Sequence, residues 1–200
     1  MFGRIVLGVD PGLARCGIAV VAAGRPRPSQ LHAEVVATGA DTPHGQRLHA
    51  VHRAIEATLV RHDVDVLAVE RVFINAQART GIGAAQVVGL VHLLGAVHDL
   101  PVVEYTPSQV KAAVTGVGDA AKDQVGYMVA HLLGLDAPPT PADRADALAV
   151  ALCDLQQPGD LQQPGVRNQP AGLPPRLAAA LADAGPGLAP IRRPGEGRGR

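Results

Sequence analysis

Tryptophan is absent from this 200-residue chain, and phenylalanine, tyrosine, cysteine, methionine and lysine occur twice each. Two cysteines, Cys16 and Cys153, are too few for a disulfide scaffold, and no signal-peptide pattern precedes Asp10. The expected compartment is therefore a reducing cytoplasm. A charge of one sign is also missing, since 18 basic and 18 acidic residues cancel. Six arginines against Asp160, Asp183 and Glu196 leave residues 158–200 at +3 and residues 1–157 at −3. Any anionic partner must then be held by a local basic surface or by metal ions, not by overall basicity. The least charged stretch, residues 81–98, contains Gln86, His92, His98 and four glycines. It reads as a buried helix and not as a membrane span.

What is present is enough apolar sequence, 47%, for a real core. Residues 4–9 and 18–23 are apolar runs joined by a Pro/Gly-punctuated segment, a pattern that suits a hairpin with a wide loop. A third strand at 31–38 extends it to an antiparallel meander. From 43 to 62, Leu48, Val51, Ile55, Leu59 and Val60 recur at helical spacing, with Pro43 in the first turn. Residues 64–69 are nearly continuous in apolar character, as in a strand covered on both faces. A helix rich in small residues follows at about 78–98, then a strand at 102–105. Thr106-Pro107-Ser108 caps a short helix reaching Val114, another helix spans 120–133, and a last one begins near Ala142. A meander followed by alternating helices and strands implies an α/β fold, a mixed sheet with helices on its faces.

The character changes near residue 157. Residues 154–159 are repeated as 160–165, and residues 158–200 carry eight prolines and eight glycines. The expected organisation is a folded domain over 1–157 and a disordered Pro/Gly-rich tail over 158–200, with at most a short helix at 175–184.

Four carboxylates stand where a soluble core does not call for them. Asp10 and Glu70 each close an apolar run, and Asp143 and Asp146 open an apolar helix. Taken alone, Asp143 or Asp146 is better explained as a helix cap. Glu70 is not, because glutamate is depleted in strands and caps nothing there. Asp143 and Asp146 are three apart and share one helix face, and all four acids would converge if the strands ending at Asp10 and Glu70 are neighbours. Oxygen-only ligands suit Mg²⁺ or Mn²⁺, and the lack of a Cys/His cluster at zinc spacing argues against zinc.

The ordered motifs resemble one family. Gly8-Val9-Asp10-Pro11-Gly12, Val69-Glu70-Arg71-Val72-Phe73, the stretch Thr106-Pro107-Ser108-Gln109-Val110-Lys111 with Gly116-Val117-Gly118, Ala121-Lys122-Asp123-Gln124-Val125 and the run 142–149 look like the bacterial Holliday-junction resolvase family RuvC. The resemblance covers about residues 3–155. It implies a ribonuclease H-like mixed sheet with helices on both faces, a homodimer, and Mg²⁺-dependent cleavage of two opposed strands of four-way junction DNA in recombination and repair. It further implies two Mg²⁺ per subunit, with Mn²⁺ able to substitute, and the branch-migration proteins RuvA and RuvB as partners. By position, Asp10, Glu70, Asp143 and Asp146 match the family's catalytic, metal-binding acids, and Lys111 and Lys122, the chain's only lysines, fall in matching segments. Phe73 matches a residue that touches unpaired bases. Two departures from the family pattern stand out: Arg71 stands where Gln is common, as either a phosphate contact or only a surface charge, and the usual basic residues after Phe73 are thinned to Asn75-Ala76-Gln77-Ala78-Arg79. Arg79 and Arg15 are further candidate phosphate contacts, with a plain surface role as the alternative. Another RNase H-like nuclease, acting on RNA, is the alternative. A sugar-kinase or actin-like ATPase is a second, although 200 residues leave no room for the second subdomain such proteins need.

Overall fold

The computed structural model describes residues 3–73 and 79–156, with side chains at all of these except 79 and 80. Residues 157–200, and with them the expected tail and its short helix, lie outside the described residues. Strands β1 (Ile5–Asp10), β2 (Arg15–Ala22) and β3 (Ser29–Ala37) form the antiparallel meander. Its first turn is tighter than expected, because β1 runs on through Asp10 and β2 begins at Arg15. Helix α1 (His44–Arg61) has Pro43 as its N-cap residue, one position before the first turn. It leads to β4 (Val66–Glu70), which lies parallel to β1, and α2 (Arg79–Val97) leads to β5 (Val102–Tyr105), parallel to β4. Three helices follow: α3 (Pro107–Thr115), α4 (Lys122–Leu133) and α5 (Ala142–Gln156). The strand order across the sheet is β3-β2-β1-β4-β5.

The two-residue pleat assigns each strand side chain to a face. Leu7 and Val9, Ile18 and Val20, and Leu67 and Val69 pack with Val51 and Ile55 of α1 and Val87, Val91 and Leu94 of α2. Val6, Ala19, Val21, Val66 and Ala68 turn the other way, against Leu148 and Leu152 of α5 and Val125 and Val129 of α4. Each fully buried leucine or valine contributes about 1.5–3 kcal/mol relative to exposure, so both helical layers are anchored by apolar burial. The result is the α/β architecture expected, with helices on both faces.

Helix α5 lies unusually close to the sheet because two strand positions carry no side chain. A Cβ on Gly8 would stand 2.7 Å from the Ala151 nitrogen and 2.9 Å from the Ala151 Cβ. One on Gly17 would stand 3.1 Å from the Ala147 Cβ and 3.2 Å from the Asp143 carbonyl carbon. At its far end α5 is tied down by buried Asp154, which accepts a hydrogen bond of 2.8 Å from the Tyr105 hydroxyl and forms an ion pair with Arg4 at 2.7 Å. In α2, Gly83 and Gly95 are explained by packing within the chain, against Leu13 and Val102, whereas Gly89 faces open space. Helix α3 begins with a capping box: the Gln109 amide donates to Thr106 Oγ1 at 3.3 Å, and the Thr106 amide to Gln109 Oε1 at 2.8 Å.

Gly8→Ala places a methyl group against main-chain atoms that have nowhere to move. The expected loss is about 3 kcal/mol or more, at the upper end for overpacking, read as a lowered urea midpoint with an unchanged m-value. A loss under ~0.5 kcal/mol would show that α5 does not rest on this contact.

Candidate active site

Strand register brings the first two acids together. Val9 is in register with Val69 on parallel neighbours, so Asp10 and Glu70 are the next positions of β1 and β4. The pleat puts both on the face shared by Val6, Val66 and Ala68, which is the α5 face. Asp10 is also in register with Gly17, the position on which the Asp143 main chain rests. The first turn of α5, carrying Asp143 and then Asp146, therefore sits over the ends of β1 and β2.

The electrostatics are those of an anionic cluster with cations at its edge. Burial, then the charges of Glu70, Asp146 and Asp143, push Asp10 up to about 7, with Lys122 opposing. Glu70 is raised by burial and by Asp146, against Lys122 and Lys111. Asp143 is held below the usual carboxylate range by its hydrogen bonds from Arg15, whose Nε lies 3.0 and 3.2 Å from the two oxygens and whose Nη2 lies 2.7 Å from Oδ2. Lys122 Nζ stands 3.2 Å from Asp146 Oδ2, and that carboxylate raises the lysine pKa. The ammonium stays charged at neutral pH.

Burial and neighbouring carboxylates hold Asp10 and Glu70 toward their neutral forms, and a hard divalent cation beside these oxygens would favour the charged forms. Among the described residues, no three His, Cys, Asp or Glu side chains as placed stand close enough to hold an ion. Asp143 is engaged by Arg15 and Asp146 by Lys122, so a cation has to draw these two carboxylates from their present partners. Cys16 offers no competing chemistry: it is fully buried, and burial pushes its thiol up to about 12.

The remaining expected residues fall around this centre. Phe73 is 66% exposed, so its ring is not a core residue. Arg71 donates from Nε to Glu104 Oε2 at 3.2 Å, and His92 Nε2 lies 3.0 Å from Glu104 Oε1. Burial would raise Glu104, but the His92 and Arg71 hydrogen bonds outweigh it and hold the carboxyl low. Arg79 opens α2, and its side chain lies outside the described residues, as do Asn75, Ala76, Gln77 and Ala78. On the α1–α2 side of the strand ends, a groove of about 940 Å³ runs between the turn after β1, the start of α1 and the start of α2. Glu70, Arg15, Arg71, Arg47 and His44 contribute to its wall. Sequence reasoning missed Arg47 and His44. It also missed that His32, His92 and His98 stand beside Glu34, Glu104 and Glu56. No periodicity signals these pairs, because most partners come from other elements.

Comparison with known proteins gives a consistent result. The family model described as crossover junction endodeoxyribonuclease RuvC matches residues 6–154. The protein of that name from Streptomyces griseus is 53% identical over 152 residues, 75% of this chain and 74% of its own. The one from Frankia alni is 54% identical over 151 residues, 75% and 77% of the two chains. Thermus thermophilus RuvC, solved in complex with Holliday junction substrate, aligns with a TM-score of 0.70 at 37% identity, over 75% of this chain and 92% of that one.

The raised Asp10 pKa sets a pH dependence. Below pH 3.8 both folded and unfolded chains hold the proton, so the site costs nothing. Between 3.8 and about 7 the folded chain keeps a proton that the unfolded chain loses, so stability falls as pH rises, and the full cost is present above 7. That cost is at most roughly 4 kcal/mol, at ~1.4 kcal/mol for each tenfold change. Asp10→Asn should therefore raise the metal-free melting temperature at pH 8 and leave it unchanged near pH 3.5. Mg²⁺ at pH 8 should narrow the gap by stabilising the wild type more; equal effects of the substitution at both pH values would contradict this account.

Proposed function

The chain belongs to the crossover junction endodeoxyribonuclease RuvC family, and from that premise we propose that it is a structure-selective endonuclease resolving Holliday junctions in DNA recombination and repair. The observation that carries this reading is the convergence of Asp10, Glu70, Asp143 and Asp146 from two parallel strands and one helix N-terminus, with Lys122 at the edge.

In this reading the four acids hold divalent cations, two Mg²⁺ per subunit with Mn²⁺ as a substitute. Bound there, the ions supply the Lewis acidity that makes water nucleophilic near neutral pH and that offsets charge on the phosphodiester. The chain's own residues do the rest. Asp10 and Glu70 are fixed by the sheet, so their oxygens keep their spacing while substrate binds. Lys122 and Lys111 offset negative charge as it develops at the scissile phosphate. Phe73 presents an exposed ring on which an unpaired base stacks, and Arg71 and Arg79 contact phosphates.

A homodimer places two such sites on opposed strands, and α2 supports it. Ile82, Gln86, Gly89, Leu93 and Val97 recur along its outer side, all exposed, with no Asp, Glu, Lys or Arg between residues 80 and 98. A helix with an apolar outer face matching its buried one calls for a covering surface. No helix among the described residues is long and apolar enough to cross a membrane. We place the enzyme in the cytoplasm, working with the branch-migration proteins RuvA and RuvB.

With Mg²⁺, the purified chain should nick a synthetic four-way junction symmetrically in two opposed strands. Asp10→Asn, Glu70→Gln, Asp143→Asn and Asp146→Asn should each slow this by at least ~100-fold while junction binding persists. Equal cleavage of an RNA–DNA hybrid would favour the alternative RNase H-like nuclease, and cleavage indifferent to all four changes would remove the site. By light scattering the wild type should have about twice the 20.5 kDa chain mass, and the pair Leu93→Glu and Val97→Glu should reduce it to one chain. A wild-type monomer at micromolar concentration would overturn the dimer.

A further inference from the structure

The four acids are not equally free to receive a cation. Asp10 and Glu70 close their strands with no hydrogen-bonded cation beside them among the described residues. Asp143 is different. Arg15 grips both of its oxygens, with Nε at 3.0 and 3.2 Å and Nη2 at 2.7 Å, a forked contact that no other carboxylate of the cluster receives. Lys122 meets Asp146 through a single bond of 3.2 Å.

The fold dictates this grip. Arg15 opens β2 and shares the α5 face of that strand with Gly17, Ala19 and Val21. Because Gly17 has no side chain, the first turn of α5 settles there and brings the Asp143 carboxylate within reach of the arginine two residues earlier. A planar guanidinium matches a carboxylate through two parallel bonds, and such a pair is stronger than a single charged contact. The pair is also open to solvent, since the Arg15 side chain is 48% exposed and that of Asp143 24%, so ions reach it from the surface.

The consequence is a competition. Both Asp143 oxygens are engaged by the arginine, and a hard cation bound through the same oxygens would stand beside a fixed positive charge. The guanidinium therefore has to swing away before Asp143 serves as a ligand. Without a metal the same contact is useful, because it is the main counter-charge of Asp143. Arg47 provides the contrast. It lines the groove beside Glu70, but its Nε donates at 2.9 Å to Thr38 Oγ1, which in turn donates to the Leu13 carbonyl. Removing Arg47 deletes a nearby charge without releasing an acid.

We propose that Arg15 is the site's internal competitor for the divalent cation: its fork holds Asp143 in the metal-free enzyme, lets go when a metal takes that carboxylate, and so sets how tightly the metal is bound. The inference rests on the nuclease reading and adds to it a residue outside every family motif identified in the sequence. Arg15 is here a positioning residue, acting on the metal through Asp143.

The test is Mn²⁺ binding by the full chain in the absence of DNA, read from the electron paramagnetic resonance signal of the free ion. Arg15→Gln should lower the Mn²⁺ Kd by about threefold to tenfold, since a charge and a forked contact are lost together. Arg15→Lys, which keeps the charge but not the fork, should fall between that variant and the wild type. Arg47→Gln should stay within about twofold of the wild type, because solvent and salt screen a charge that binds no acid. Circular dichroism checks that each variant is folded. A second readout uses the wild type itself: the nitrogen-15 resonance of the Arg15 Nε–H group, assigned by its loss in Arg15→Lys. That group should be protected from exchange with water in the metal-free protein and lose its protection on saturation with Mg²⁺. Folded Arg15→Gln that binds Mn²⁺ no more tightly than the wild type would overturn the competition, as would an equal gain in Arg47→Gln or an Nε–H signal indifferent to Mg²⁺. Each of these leaves the nuclease reading intact. Wild-type Mn²⁺ binding that Asp10→Asn does not weaken would instead overturn the metal site, and the competition with it.

Discussion

Repulsion between carboxylates is the constraint to which the rest of the site responds. Asp10 and Glu70 occupy corresponding positions on adjacent parallel strands and cannot move apart without breaking the sheet. Two more acids are then set over them at the start of α5. Burial first and this repulsion second push the pKa values of Asp10 and Glu70 up, and the surrounding cations answer unequally. Arg15 neutralises Asp143 with a forked contact, Lys122 attends to Asp146, and Asp10, the most buried of the four, opposes three other acids. A fold that tolerates this is held together elsewhere, by the two apolar layers and by the Arg4–Asp154–Tyr105 anchor at the far end of the same helix.

The division of labour between the two faces of the sheet follows from the pleat. Even-numbered residues of β1 and β4 meet α5, and the acids are even-numbered. Odd-numbered residues meet α1 and α2, and Arg71 and Phe73 continue that parity just past the end of β4. The carboxylate cluster and the groove thereby open on opposite sides of the same strand ends, with Glu70 belonging to both. A strand of nucleic acid crossing the tips of β1 and β4 would pass from one to the other.

Much of this is legible in the sequence because it is local. The apolar runs, the capping box at Thr106 and the oddity of a glutamate closing a strand all depend on neighbours a few residues away. That β4 pairs with β1 is not local, and the meeting of Asp10 and Glu70 depended on it. The forked contact of Arg15 with Asp143 spans 128 positions, and the fixing of Arg47 passes through Thr38 and Leu13 from two other elements. An arginine on a helix reads as a solvated residue whatever it faces. The four glycines of α2 show the same limit: their spacing is visible, but only the folded structure separates Gly95, pressed on Val102, from Gly89, which faces outward.

The seat of α5 on Gly8 and Gly17 has a consequence for how this protein can change over generations. The opposing residues, Ala147 and Ala151, are themselves close to minimal size, so neither side of the contact can shrink to make room for growth on the other. Ordinary core positions drift by exchanging volume between partners, and this one has no volume to exchange. A larger residue at Gly8 or Gly17 meets main-chain atoms of α5, which trimming an opposing side chain does not remove. The distance between the acids on the strands and those on α5 thus hangs on a contact with almost no slack.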